Sequence, residues 1–209
     1  MITYHSTRGS NNKLTFEDVI LSGVAKDKGL YLPDSISLEN LSYLTQEDLG
    51  YEDFVKTIFI ALDKNTAKYV EDLSIYPGFE NSPKPVLKEI KENKYVMELF
   101  HGPTKSFKDY ALQPLGAIAD KRLEEIGERG LVIVATSGDT GSAAIQAVKD
   151  SKNIDIVVLH PHNKVSEYQR RQMTEVIQDN VLNIAIKALM MTAKKLPKLY
   201  YRKTILTEE

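Results

Sequence analysis

Two short stretches of this 209-residue chain combine chemistry-bearing side chains with permissive backbone. The first is His101-Gly102-Pro103-Thr104-Lys105-Ser106-Phe107-Lys108-Asp109-Tyr110. Ser106 can cap a helix starting at Phe107, with Asp109 three positions on to close a capping box. That puts Lys108 in the first turn, where the positive end of the helix dipole opposes a cation and favours the neutral amine. A neutral amine attacks an aldehyde and forms a Schiff base. Lys105 is the rival nucleophile, but it lies ahead of the cap. Most lysines in any chain are solvated surface charges, so the helix-start setting is what singles out Lys108.

The second stretch is Thr136-Ser137-Gly138-Asp139-Thr140-Gly141-Ser142, between an apolar strand-like run and a helix-like run. Glycines let a ligand approach the backbone, and a helix start offers N–H groups to an anion. A bare glycine pair reads as a plain turn, but the hydroxyls of Thr136, Ser137 and Thr140 and the Asp139 carboxylate crowd this one. The loop is neither a Walker A motif nor a G-x-G-x-x-G fingerprint, which disfavours a nucleotide. His160-Pro161-His162 lacks the further ligands of a metal site, and no metal is expected there. No Ser-His-Asp order is specified.

The elements that must position these stretches follow from pattern. Thr15 caps a helix with Phe16, Val19, Ile20 and Val24 on one face, and Asp18 completes a capping box. Asp27-Lys28-Gly29 breaks it, and Leu30 to Pro33 is extended. Tyr51 to Asp63 forms a second amphipathic helix. Pro77-Gly78 and Pro83-Lys84-Pro85 mark turns before a strand at Tyr95 to Leu99. A helix then runs from Phe107 toward Gly127, kinked at Pro114. Leu131 to Ala135 is a buried strand, Ser142 to Val148 a helix and Ile154 to Leu159 the next strand. Ser166 opens a polar helix, and Val181 to Ile186 is the last strand. The fold class is therefore α/β, a helical region followed by parallel βαβ units.

Composition excludes several classes. The chain is 42% hydrophobic and 27% charged, an ordinary globular balance. Its longest apolar runs fall far short of the ~20 residues that span a bilayer. No secretory signal pattern opens it, and zero cysteines exclude disulfides and thiolate chemistry. A cytoplasmic protein without membrane or nucleic-acid partners is expected. Six basic and two acidic residues lie between Lys187 and Glu209, while the preceding residues are net acidic. Without aromatic-glycine rhythm, that tail is not read as a nucleic-acid arm.

At this level the chain resembles the threonine synthase family. The resemblance rests on His101-Gly102-Pro103-Thr104 with Ser106 to Gln113, and on Ser137-Gly138-Asp139-Thr140-Gly141. Tyr4, Ser6-Thr7-Arg8-Gly9, Gly29 to Pro33, Gln169-Arg170 and Gln172-Met173 match as well. Threonine dehydratase and cysteine synthase share a lysine and a glycine-rich loop but lack the Ser-Thr-Arg-Gly start. Two departures stand out, Lys28 where the family usually has glycine and Lys105 where an apolar residue is commoner.

The resemblance implies a fold type II pyridoxal 5'-phosphate enzyme, cut short. Lys108 would hold the cofactor as an internal aldimine and move protons. Ser137, Gly138, Asp139, Thr140 and Gly141 would face the substrate carboxylate and the cofactor's 3-oxygen. The reaction would turn O-phosphohomoserine and water into threonine and phosphate, the last step of threonine biosynthesis, with activity impaired because family members are about twice this length. The alternative is a non-catalytic fragment without stable cofactor binding. Oligomeric state is left open. The implied division is 1–95 as the amino-terminal helical region and 96–186 as a partial cofactor-binding α/β domain. Residues 187–209 form a tail unlike the family. A frameshift near Ile186 would explain it, since Met190-Met191-Thr192 read one base earlier forces two consecutive aspartates. Permitted codons for Lys187 to Lys194 then allow Glu-Gly-Thr-Tyr-Asp-Asp-Cys-Gln, which resembles the family's continuation.

Overall fold

The computed structural model describes residues 2–9, 13–35 and 49–187. The tail from 188 onward, with its frameshift reading, lies outside the described residues. The chain divides into two units, Met1–Ile75 with Ser82–Lys84, and Tyr76–Asn81 with Pro85–Glu209.

In the first unit, β1 (Tyr4–Ser6) pairs antiparallel with β2 (Tyr31–Pro33), the segment expected to be extended. Helix α1 (Phe16–Ile20) opens on the expected Thr15–Asp18 capping box. It closes after five residues, sooner than the apolar spacing suggests, and Val24 falls beyond it and is exposed. The left-handed Gly23 at φ 61° follows the helix end and breaks the periodicity. Helix α2 (Tyr51–Leu62) matches expectation, and α3 (Ala67–Val70) follows a 3₁₀ turn. Phe16, Ala61, Tyr69, Val70 and Ile75 form the core here, with the Phe16 and Tyr69 rings 6.2 Å apart. Lys28, where the resemblance expects glycine, sits at φ 68°, in the left-handed region that glycine enters without steric cost.

The second unit begins with an antiparallel hairpin, β3 (Val86–Lys91) and β4 (Lys94–Glu98), turning at the left-handed Asn93. Sequence pattern shows β4, shifted by one residue, and misses β3. The charges of Lys88, Glu89 and Lys91 interrupt its apolar run, and all six of its residues are exposed. Helix α4 (Asp109–Ile126) runs through Pro114 and ends at the left-handed Gly127. Pro114 has no N–H for the Tyr110 carbonyl, and the Tyr76 hydroxyl donates to that oxygen instead, at 3.0 Å.

Then β5 (Gly130–Ala135), α5 (Asp139–Val148), β6 (Ile154–Pro161), α6 (Glu167–Thr174) and β7 (Val181–Ile186) alternate. The three strands form one parallel sheet in the order β5-β6-β7. Central β6 is the most enclosed, with Ile154, Ile156 and Val158 almost fully buried against Ala143, Ile145 and Met173 of the core. Asn180 fixes the start of β7, its amide donating to the Val148 and Ile154 carbonyls at 2.8 and 2.9 Å. Among the described residues, no helix is long and apolar enough to cross a membrane.

Candidate active site

Beyond the carboxyl end of β5 the chain enters the Thr136–Gly141 loop, on the side of a parallel sheet where ligands bind. Thr136 is buried, and its Oγ1 accepts from the backbone N–H groups of Gly138 and Gly141, both at 3.0 Å. One hydroxyl thus folds the loop back on itself. Gly138 adopts φ 145°, strained for any side chain, and a Cβ there would stand 2.4 Å from Gln169 Cδ. A Cβ on Gly141 would meet Thr136 Cγ2 at 2.5 Å and Met173 Sδ at 2.8 Å, so both glycines are needed for close approach. Helix α5 starts at Asp139 rather than at the expected Ser142, because Gly138 already serves as its cap. Ser137, Asp139 and Thr140 are exposed while the two glycines are buried, leaving polar side chains on the open side.

The lysine segment also starts its helix later than expected. Lys108 is the residue that caps α4, and Asp109 is the first helical one. The capping box expected between Ser106 and Asp109 does not form. Ser106 Oγ accepts from Lys108 N at 3.3 Å, and the Asp109 carboxylate turns to Thr104 instead. It accepts from the Thr104 backbone N–H at 2.9 Å and from the Thr104 hydroxyl at 2.8 Å. Asp109 is completely buried, and that burial pushes its carboxyl above the usual range, against the Thr104 hydrogen bonds and the charges of Lys105 and Lys108. Lys105 is exposed and left-handed at φ 61°.

The fold brings the two stretches together. Lys108 Nζ stands 4.0 Å from Asp139 Oδ2 and 4.5 Å above the Phe107 ring. Its side chain keeps about a quarter of its exposure, so the amine is reachable. Between Asp139 and α6 lies a contact to which sequence reasoning assigned no role. Gln169 Nε2 donates to Asp139 Oδ1 at 2.6 Å, and Gln172 Nε2 donates to the Thr104 carbonyl at 2.9 Å. The signal available in the sequence was the Ser166-to-Gln169 capping-box spacing, which the structure shows formed. His160 is buried at the end of β6, and burial lowers the pKa of its ring.

Comparison with known proteins fits this geometry. Residues 3–69 match the family model described as "Threonine synthase N terminus". A threonine synthase of Pseudomonas aeruginosa is 44% identical over 196 residues, covering 88% of this chain and 40% of that protein. Over most of its length this chain is similar to the amino-terminal part of threonine synthases. The crystal structure of pyridoxal-phosphate-bound threonine synthase from Brucella melitensis superposes with a TM-score of 0.87 at 34% identity, covering 98% of this chain and 45% of that one. The yeast threonine synthase structure gives 0.85 at 28% identity, covering 97% and 44%. The α/β architecture is therefore that of threonine synthases, and the chain spans less than half the length of these relatives.

Proposed function

We propose that this chain carries the cofactor lysine and the substrate-facing loop of a pyridoxal-phosphate-dependent threonine synthase, a lyase that converts O-phosphohomoserine and water into threonine and phosphate. The observation that carries this is the placement of Lys108 Nζ, at a helix start, 4.0 Å from Asp139 of the Ser137–Gly141 loop. The residues suit the cofactor. Lys108 supplies a reachable amine, and the Gly138–Gly141 turn presents the exposed Ser137, Asp139 and Thr140 to a polar, charged ligand. When bound, pyridoxal 5'-phosphate supplies an electron sink for charge that develops on the substrate carbons. Lys108 anchors it and later carries a proton at Nζ, while Asp139 holds that nitrogen toward the loop. Ser137 and Thr140 present hydroxyls to the substrate carboxylate, and the α5 start adds the favourable end of its dipole. On this reading 96–186 is the cofactor-binding α/β segment. The substrate is a small molecule, and the setting is the cytoplasm. Turnover by these 209 residues falls well below the ~10 per second of an ordinary enzyme.

Borohydride reduction in the presence of pyridoxal phosphate, followed by peptide mapping, tests the reading. A label on Lys108 supports it. A label confined to Lys105, or no labelled lysine in this segment, refutes it. The second reading, a chain that binds no cofactor stably, draws on the exposure of Leu87, Ile90 and Met97 on the β3–β4 hairpin, apolar surface that a finished domain covers. It would be borne out by a chain that develops no visible absorption band on titration with the cofactor.

A further inference from the structure

We propose that Gln169 is a positioning residue that aims Asp139 at Lys108, with Gln172 as the second point of the same clip. This rests on the assignment of Lys108 as the cofactor lysine. The two glutamines lie three residues apart on α6, and so on one face of that helix. Each reaches a different loop: Gln169 the Asp139 carboxylate, thirty residues away, and Gln172 the Thr104 carbonyl, 68 residues away. Together they tie the lysine segment and the glycine loop to one rigid element.

The orientation of the Gln169 amide is decided by chemistry. Its Oε1 accepts from the Ser166 N–H at 3.3 Å and from the Ser166 hydroxyl at 3.0 Å, the return half of the α6 capping box. With the oxygen engaged there, the NH₂ group must face Asp139. The donor then occupies Oδ1 and leaves Oδ2 toward Lys108 Nζ. The same amide stands against Gly138, where a Cβ would strike it at 2.4 Å. Gln169 therefore sets both the backbone turn and the carboxylate of the loop.

A single substitution separates this role from helix capping. Glutamate is an ordinary partner in a capping box, so Gln169→Glu keeps the α6 cap but turns a carboxylate oxygen against Asp139. Two readouts apply to the 209-residue chain. In the cofactor-free protein, Gln169→Glu should accelerate amide hydrogen exchange in 136–142 by roughly tenfold, with exchange in 167–174 unchanged. With pyridoxal phosphate and borohydride, the ratio of label on Lys108 to label on Lys105 should fall by a similar factor. Adding Asp139→Asn to Gln169→Glu restores a donor–acceptor pair with the roles swapped, and should return loop exchange toward wild type. The proposal is overturned if Gln169→Glu leaves loop exchange at the wild-type rate. It is also overturned if exchange rises equally in α6, since Gln169 would then be a helix cap and nothing more. Absence of Lys108 label in the wild-type chain sinks the cofactor assignment instead, and the exchange readout still decides the role of Gln169 in the loop.

Discussion

Replacing Gly138 with alanine should cost about 2–5 kcal/mol, and the structure says where each part arises. An L-residue held at φ 145° bears backbone strain of ~1–3 kcal/mol. The added methyl also lies 2.4 Å from Gln169 Cδ, far inside contact distance. That atom is near the end of a flexible side chain, so Gln169 yields by rotating away. Rotation breaks its bond to Asp139 and its two bonds to Ser166, all three at exposed positions and together ~1–2 kcal/mol net. The two contributions can be separated by a double-mutant cycle. Gln169→Ala alone loses the same side-chain bonds and costs ~1–2 kcal/mol. In a Gly138→Ala background those bonds are already gone, so adding Gln169→Ala should cost almost nothing more. The coupling is then ~1–2 kcal/mol, within the range known for residues in contact. Urea unfolding of the four chains at one pH measures it. Strict additivity would show that Gln169 is not displaced, and a Gly138→Ala cost under ~0.5 kcal/mol would refute the strain argument as well.

Three further outcomes are expected. Thr136→Val keeps the shape of the side chain but strands the Gly138 N–H, while the Gly141 N–H keeps its second acceptor, the Gly138 carbonyl at 2.9 Å. It should cost ~1–3 kcal/mol in urea unfolding, whereas Thr136→Ser, which keeps the acceptor, should lose ~1 kcal/mol. Because the Asp109 carboxyl is raised above its usual 3.8, the stability it contributes is full below that value and is lost as pH rises through the folded value. Asp109→Asn, which can still accept from the Thr104 N–H, should remove that decline when urea midpoints are compared from acid to neutral pH. The His160 ring is shifted the other way, below 6.5, so its contribution is full above that value and lost as pH falls through the folded value. His160→Phe should flatten the acid side of the stability profile, and an unchanged slope would count against burial as its cause.

Elements with strong periodicity were legible in the sequence, and those that depend on tertiary partners were not. The apolar runs of β5 and β6 locate both strands from pattern alone, but only central β6 is buried as expected. Strand β5 lies at the edge of the three-stranded sheet, half-buried and with Leu131 exposed, so its expected burial is not met. The Thr15 capping box was visible because both of its members are local. The α4 start was misplaced because Asp109 satisfies Thr104 rather than Ser106, a choice made by burial and not by spacing. Strand β3 was missed because its alternation carries charges on an exposed hairpin. In the site, Lys108 and the 137–141 loop could be named from residue types and motif order. Their meeting at 4.0 Å, and the glutamines that arrange it, depend on how α6 packs, which no local pattern encodes.

The clip on α6 also has a consequence for the growing chain. Among the described residues, the groups that frame Lys108 lie between Thr104 and Met173, and the longest hydrogen bond in that frame, counted along the sequence, joins residues 68 apart. At a synthesis rate of ~5–20 residues per second, the ribosome covers such a span in roughly 3–14 s. Helix formation and local packing are faster by orders of magnitude. The two glutamine contacts of the frame can therefore form as soon as α6 clears the exit, before β7, whose Asn183 then donates to the Met173 carbonyl at 2.9 Å, has been made.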